Sequence, residues 1–270
     1  LGIGAGNQYL NGFARQAKEG RINLSVLTAL ALQVPEVTGG MKARLLNPIF
    51  QRVYRRYTTF TYIDECLEAK KNGTPMPDYL KFYSFYFFPG FSTAAPDAQL
   101  DYTPINFRDV NEALRMRGAN VVAMKAAYRH GRFNCGTNTD IMTRTIRDVK
   151  SAGGVVMLIE TDDMPYCHGD GDIPEAMIDY VIESKEPLYS MPHQPLSVVE
   201  HAIGSYAAEL IPDGATLQIG IGQMADAVGF WLKRLGRTGI NGVSEMISPA
   251  FMYLIKNGVI TRRNEKGALV

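Results

Sequence analysis

Short apolar runs rich in β-branched residues alternate along this chain with longer stretches whose apolar positions recur at helical spacing. That alternation marks units in which a strand and a helix cover each other, and it predicts an α/β fold with a parallel sheet. The predicted strands span residues 22–28, 81–88, 119–124, 154–160, 215–221 and 239–243. The predicted helices span 8–18, 47–58, 109–117, 139–152, 197–210 and 224–235. No internal repeat or low-complexity tract interrupts the series.

The stretch 187–195 holds three prolines, which deny the backbone regular hydrogen bonding and stiffen it into a connection. It divides the chain into a first domain over 1–190 and a second over 196–270. In the second, Pro212-Asp213-Gly214 makes a turn, a strand follows, Gly220-Ile221-Gly222 makes a tight loop, and a helix ends at Gly236. The next strand runs into Ser244-Glu245-Met246. Ser248 then reads as a helix N-cap with Pro249 at the first helical position, and that helix should end near Asn257-Gly258. Glu245 therefore falls beyond the carboxyl end of a parallel strand, the edge of an open α/β sheet where ligands gather.

The chain has 270 residues, 46% of them hydrophobic and 20% charged, enough for a sizeable core and for two domains. Its 28 Lys and Arg against 27 Asp and Glu leave a net charge of +1, no bulk field for nucleic acid or an anionic membrane. No apolar run approaches the roughly 18 to 20 residues of a membrane span. The three cysteines, Cys66, Cys135 and Cys167, lack the paired spacing of a disulfide framework or a zinc site and fit a reducing cytoplasm. Leu1 stands in place of an initiating Met and residues 267–270 open an apolar run, so the sequence reads as an internal piece of a longer protein.

Candidate chemistry is sparse. Gly2-Ile3-Gly4-Ala5-Gly6 invites a dinucleotide reading, but Asn7 stands where the third glycine belongs and no acid ends the next strand. A packing turn is the better account. Four aspartates, Cys167 and His168 crowd residues 162–172 without the spacing of a metal site, which favours a solvated turn between strand and helix. The aromatic stretch 82–91 carries no interleaved Arg and reads as a buried strand instead of a base-stacking surface. Glu245 by its residue type is one loop carboxylate among many. Its place at one strand end, with Gly220 and Gly222 at another, raises it to a candidate.

Several runs of residues resemble the acetyl-CoA hydrolase/transferase family, which includes 4-hydroxybutyrate CoA-transferase. They are Val198-Val199-Glu200-His201-Ala202-Ile203-Gly204, the stretch from Ala208-Glu209-Leu210 to Gly220-Ile221-Gly222, Asp226-Ala227-Val228, Gly239-Ile240 and Ser244-Glu245-Met246. The resemblance is ordered across residues 198–260. Upstream, Tyr128 to Asn134 is similar to the family's His-Gly-Tyr-Phe segment, and Met164-Pro165 with His168-Gly169 to its Met-Pro loop. The chain departs in having Val243 where the family often has His, Ser248-Pro249-Ala250 where it often has Ser-Asp-Gly, and an unmatched segment over 41–96. It therefore reads as a divergent branch.

The resemblance implies two related open α/β domains of the CoA-transferase type, the second truncated, with the active site between them. A further glycine-rich motif of the family would lie beyond Val270, so the piece alone is expected to be inactive. It implies Glu245 as covalent nucleophile, passing from an acyl anhydride to a glutamyl-CoA thioester, with Gly220 and Gly222 near CoA and the oxyanion. Coenzyme A enters as substrate with a small carboxylate, no metal is needed, and a cytoplasmic homo-oligomer is expected, with no nucleic-acid or membrane partner. Transferase and hydrolase remain open at this stage. So do a non-catalytic CoA-binding paralogue and a sugar-phosphate isomerase or deaminase, which would use a carboxylate as base.

Overall fold

Val122, Met124, Ala126 and Ala127 are all buried on one strand, so that strand is covered on both faces and must lie at the centre of a sheet. The computed structural model describes residues 6–29, 34, 37–54, 57–86, 102–186, 188–189, 195–244 and 246–261. The chain divides into two compact units, Leu1–Met191 and Pro192–Val270. The linker predicted at 187–195 lies outside the described residues except at Leu188, Tyr189 and Pro195. Helices and strands are interspersed through both units, as in an α/β chain.

The first unit opens with α1 (Asn7–Lys18) and β1 (Leu24–Thr28), followed by α2 (Gly40–Tyr54), α3 (Thr61–Asn72) and β2 (Leu80–Ser84). Strands β1 and β2 pair in parallel, with Val26 opposite Phe82. Both side chains are buried with Ala14, Phe60, Ile63 and Leu80, so the described part of the aromatic stretch is a strand packed into a core. The second half of the unit holds α4 (Val110–Met116), β3 (Val121–Arg129), β4 (Arg132–Asn134), α5 (Thr139–Ser151), β5 (Val155–Glu160), β6 (Asp172–Ile173) and β7 (Tyr180–Glu183). These strands form one sheet in the order β6-β4-β3-β5-β7. Ile146 and Val149 of α5 cover it, packed against Val122, Met124, Val156 and Leu158.

This sheet corrects the purely parallel expectation. Strands β3, β5 and β7 are parallel, but β4 returns antiparallel to β3 and pairs in turn with β6. The cause is a two-residue turn at His130-Gly131, both left-handed (φ 55 and 73), between paired residues Arg129 and Arg132. A second correction concerns the aspartate-rich loop, which joins β5 to β6 instead of a strand to a helix. A third concerns α2, predicted to begin at Asn47-Pro48. The helix begins instead at Gly40 and runs through Pro48 on its exposed side, with the Asn47 side chain bonded to both backbone groups of Val37. Water can take the carbonyl that proline leaves free there.

The second unit comprises α6 (Val198–Glu209), β8 (Thr216–Leu217), α7 (Gln223–Arg234), β9 (Asn241–Gly242) and α8 (Pro249–Lys256). Ser197 and Glu200 form a reciprocal capping box that starts α6. Strands β8 and β9 are parallel and much shorter than their apolar runs, with Thr216 opposite Asn241 and Leu217 opposite Gly242. Ile219, Leu232, Ile240, Phe251, Leu254 and Val259 form the core between them and the helices. No helix among the described residues is long and apolar enough to cross a membrane.

Candidate active site

Parallel pairing places the exits of β8 and β9 side by side at one end of the second unit. The ladder continues past the strands, with the Val243 N–H donating to the Leu217 carbonyl at 2.9 Å. One residue further on, the Ser244 hydroxyl donates to the Ile219 carbonyl at 3.3 Å. Ile219 immediately precedes Gly220, so the two loops meet where the first turns into α7. Glu245 lies outside the described residues; its neighbours do not. Ser248 is buried and caps α8, its hydroxyl accepting from the Phe251 N–H at 3.4 Å. The loop that carries position 245 is thus held at Ser244 and again at Ser248.

Gly222 is the N-cap of α7, with φ 112 and ψ 172, a conformation open in practice to glycine alone. No side chain among the described residues caps this helix, so among them its first N–H groups, at the positive end of the helix dipole, are left for water or an anion. Gly220 and Gly222 are exposed, and a methyl group added to either would touch none of the described residues within 4 Å. Among the described residues the backbone here is therefore bare. The same two loops carry exposed apolar side chains, Ile221 on the first and Val243 and Ile247 on the second.

The other sequence-derived candidates lie in the first unit and organise its loops. Asn134, fully buried, accepts from the N–H groups of Gly136 and Cys167 and donates to the Cys167 carbonyl and the Asp172 carboxylate. Tyr166 donates to Asp172, which holds that carboxyl below the usual carboxylate range, with Asn134 and Arg132 helping. Burial pushes the Cys135 thiol up to about 12. The described residues contain no group of three or more His, Cys, Asp and Glu arranged to hold a metal ion. Gly6, in the turn that invited a dinucleotide reading, packs against the backbone of β3.

Sequence reading missed the charged core of this unit. Lys125, on β3, and Glu186 are buried to 2% and 8% and pair at 3.3 Å. Glu186 also accepts from the Gln8 side chain and the Thr58 N–H, while Asn7 donates to the Tyr57 hydroxyl at 3.1 Å and the Thr58 carbonyl at 2.8 Å. Burial, with Glu186 nearby, pushes the Tyr57 phenol up to about 12. The one available signal was a Lys standing inside an apolar strand.

Comparison with known proteins gives this arrangement its context. A 4-hydroxybutyrate coenzyme A transferase of Clostridium kluyveri is 34% identical over 176 residues, 64% of this chain and 40% of that protein. A succinyl-CoA:cyclohexane-1-carboxylate CoA transferase of Geobacter metallireducens is 30% identical over 62% of this chain and 37% of its own length. The chain is a homologue of CoA-transferases. It spans between 37% and 40% of the length of these two relatives. No family model matches the chain. Among solved structures, a 4-hydroxybutyrate CoA-transferase from Porphyromonas gingivalis aligns over 67% of this chain and 46% of its own, with TM-score 0.52 and 26% identity. RipA from Yersinia pestis aligns over 99% of this chain and 56% of its own, with TM-score 0.71 and 22% identity, a likeness of fold.

Proposed function

We propose that the protein moves coenzyme A between an acyl-CoA and a small carboxylic acid, with Glu245 as the covalent nucleophile. The observation that carries this reading is the Ser244 hydroxyl bonded to the Ile219 carbonyl, in a homologue of CoA-transferases. It brings the residue before Glu245 to the foot of the Gly220-Ile221-Gly222 turn. A glutamate carboxyl titrates near 4, so at neutral pH it is ionised, and a thioester carbonyl is reactive enough for it to attack.

The steps balance without a metal or redox partner. The Glu245 carboxylate adds to the acyl carbonyl, the CoA thiolate leaves, and an acyl-glutamyl anhydride remains. The thiolate then attacks the glutamyl carbonyl, expelling the first carboxylic acid as its anion and leaving a glutamyl-CoA thioester. An incoming carboxylate reverses both steps, takes the CoA and frees Glu245. Each tetrahedral intermediate carries an oxyanion, for which the bare N–H groups of the 220–222 turn and the start of α7 are suited donors. The apolar side chains of Ile221, Val243 and Ile247 suit the uncharged pantetheine or acyl portion. Exclusion of water decides between transfer and hydrolysis.

Borohydride reduction tests the covalent step. The full-length protein is incubated with acyl-CoA, reduced and digested with trypsin, and the peptide 238–256 is weighed. Conversion of Glu245 to the corresponding alcohol is the expected result. Turnover of acyl-CoA with an unchanged peptide would reject Glu245 as nucleophile, and absence of all thioester exchange would leave a CoA-binding role.

A further inference from the structure

The chain leaving the first unit does not come free at the end of β7. The Ser184 N–H bonds to the Glu160 carbonyl at 2.9 Å and the Glu186 N–H to the Ser184 hydroxyl at 3.1 Å. Glu186 then turns inward to Lys125, Gln8 and the Thr58 N–H. Two residues on, the Leu188 N–H bonds to the Asp163 carboxylate at 3.2 Å. Tyr189, 8% exposed, stacks on Tyr54 with ring centroids 5.0 Å apart and planes at 20°, and meets Tyr57 edge-on at 6.2 Å.

A carboxylate just past a strand is ordinarily left in water, because burying it costs several kcal/mol unless it is fully paired. Here it is buried, and its partners come from three separate parts of the chain: α1, the 57–58 segment and β3. The aromatic contacts repeat the pattern, since Tyr189 packs with Val53, Tyr54 and Tyr57. Residues 53–58 lie within the segment 41–96, which departs from the family pattern and had no assigned role. Asn7 in turn ties Tyr57 and Thr58 to α1.

We infer that Tyr54, Tyr57 and Thr58 form a clasp for the connection to the second unit, with Glu186 and Tyr189 as the positioning residues that fix where it begins. The connection starts after Tyr189, six residues beyond the last residue of β7, Glu183. The clasp is independent of the CoA-transfer reading. It rests on the Tyr189 ring packed against Tyr54 and Tyr57 and on Glu186 accepting from the Thr58 N–H.

Hydrogen exchange on the full 270-residue chain tests it, comparing peptides that cover 184–189 with peptides that cover 63–70 in α3. Tyr189→Ala should speed exchange over 184–189 roughly tenfold, the size of a lost aromatic pair, with 63–70 unchanged. Tyr189→Phe should restore protection, because stacking needs the ring and not the hydroxyl. Tyr54→Ala, on the half-buried end of α2, should reproduce the opening if Tyr189→Ala does not fold. Unchanged exchange in the alanine variants, a parallel rise over 63–70, or failure of phenylalanine to restore protection would overturn the clasp.

Discussion

Gly6 and Gly222 each precede a helix of 12 residues, α1 and α7. A methyl group at Gly6 would lie 2.8 Å from the Ala123 carbonyl carbon, whereas one at Gly222 would meet nothing within 4 Å. The first glycine is there so that a helix can press against the backbone of β3. The second is there because φ 112 excludes a side chain, and it leaves its N–H groups facing solvent. Two turns alike on paper thus serve packing in one unit and open backbone in the other. The units differ in their charges as well. The first buries Lys125 and Glu186 against each other, while the second keeps Ser244 beside a bare turn at the surface. The contrast assigns stability to the first set, and the proposed function draws on the second.

The sharpest way to break this comparison is at position 245. Glu245→Gln should lower thioester exchange by about a thousandfold or more, as loss of a covalent nucleophile does, and leave the urea midpoint unchanged. A variant that exchanges CoA at the wild-type rate would remove the reactive half of the comparison. Lys125→Met should do the reverse. Leaving Glu186 buried without its partner should cost about 3–5 kcal/mol in urea unfolding, and a loss below about 1 kcal/mol would mean that water reaches the carboxylate.

The two glycines give a matched pair of smaller effects. Gly6→Ala sets a methyl group against backbone that cannot yield, and should cost about 1–3 kcal/mol of stability. Gly222→Ala should impose a strain of similar size, about 1–3 kcal/mol, but express it as slower exchange through a shifted turn. Equal losses of stability and activity in both variants would dissolve the distinction. A separate effect is alkaline. Cys135 and Tyr57 both have folded pKa values raised to about 12, so their contribution is complete below their unfolded values, near 9 for the thiol and 10 for the phenol. It is lost as pH rises from about 9 to about 12, and Cys135→Ala should flatten the stability profile across that window.

Helix positions were legible where the apolar period was clean. The prediction over 139–152 meets α5 at Thr139–Ser151, and that over 224–235 meets α7 at Gln223–Arg234. Ser248 and Pro249 start α8 as their residue types dictate. Errors arose where a distant partner overruled a local signal. The strand predicted to stop at Met124 continues to Arg129 because it pairs with β5 as far as Ala126 and with β4 beyond it, and the helix predicted from Asn47 already begins at Gly40. Helix α3 escaped notice because Ile63, Cys66 and Ala69 make a thin buried stripe among aromatic and charged neighbours. The His130-Gly131 turn is a hairpin signal in the sequence, since both residues tolerate the left-handed backbone that a two-residue connection needs.

The α/β class, the order of most elements and the residues worth testing follow from periodicity and capping, which act over a few residues and need no partner. Only folding settles which charges are buried, which glycine is packed and which is open, and that Ser244 reaches Ile219. Those outcomes depend on desolvation and contact between segments far apart in the chain, and a residue's type does not say whether a partner will be waiting for it.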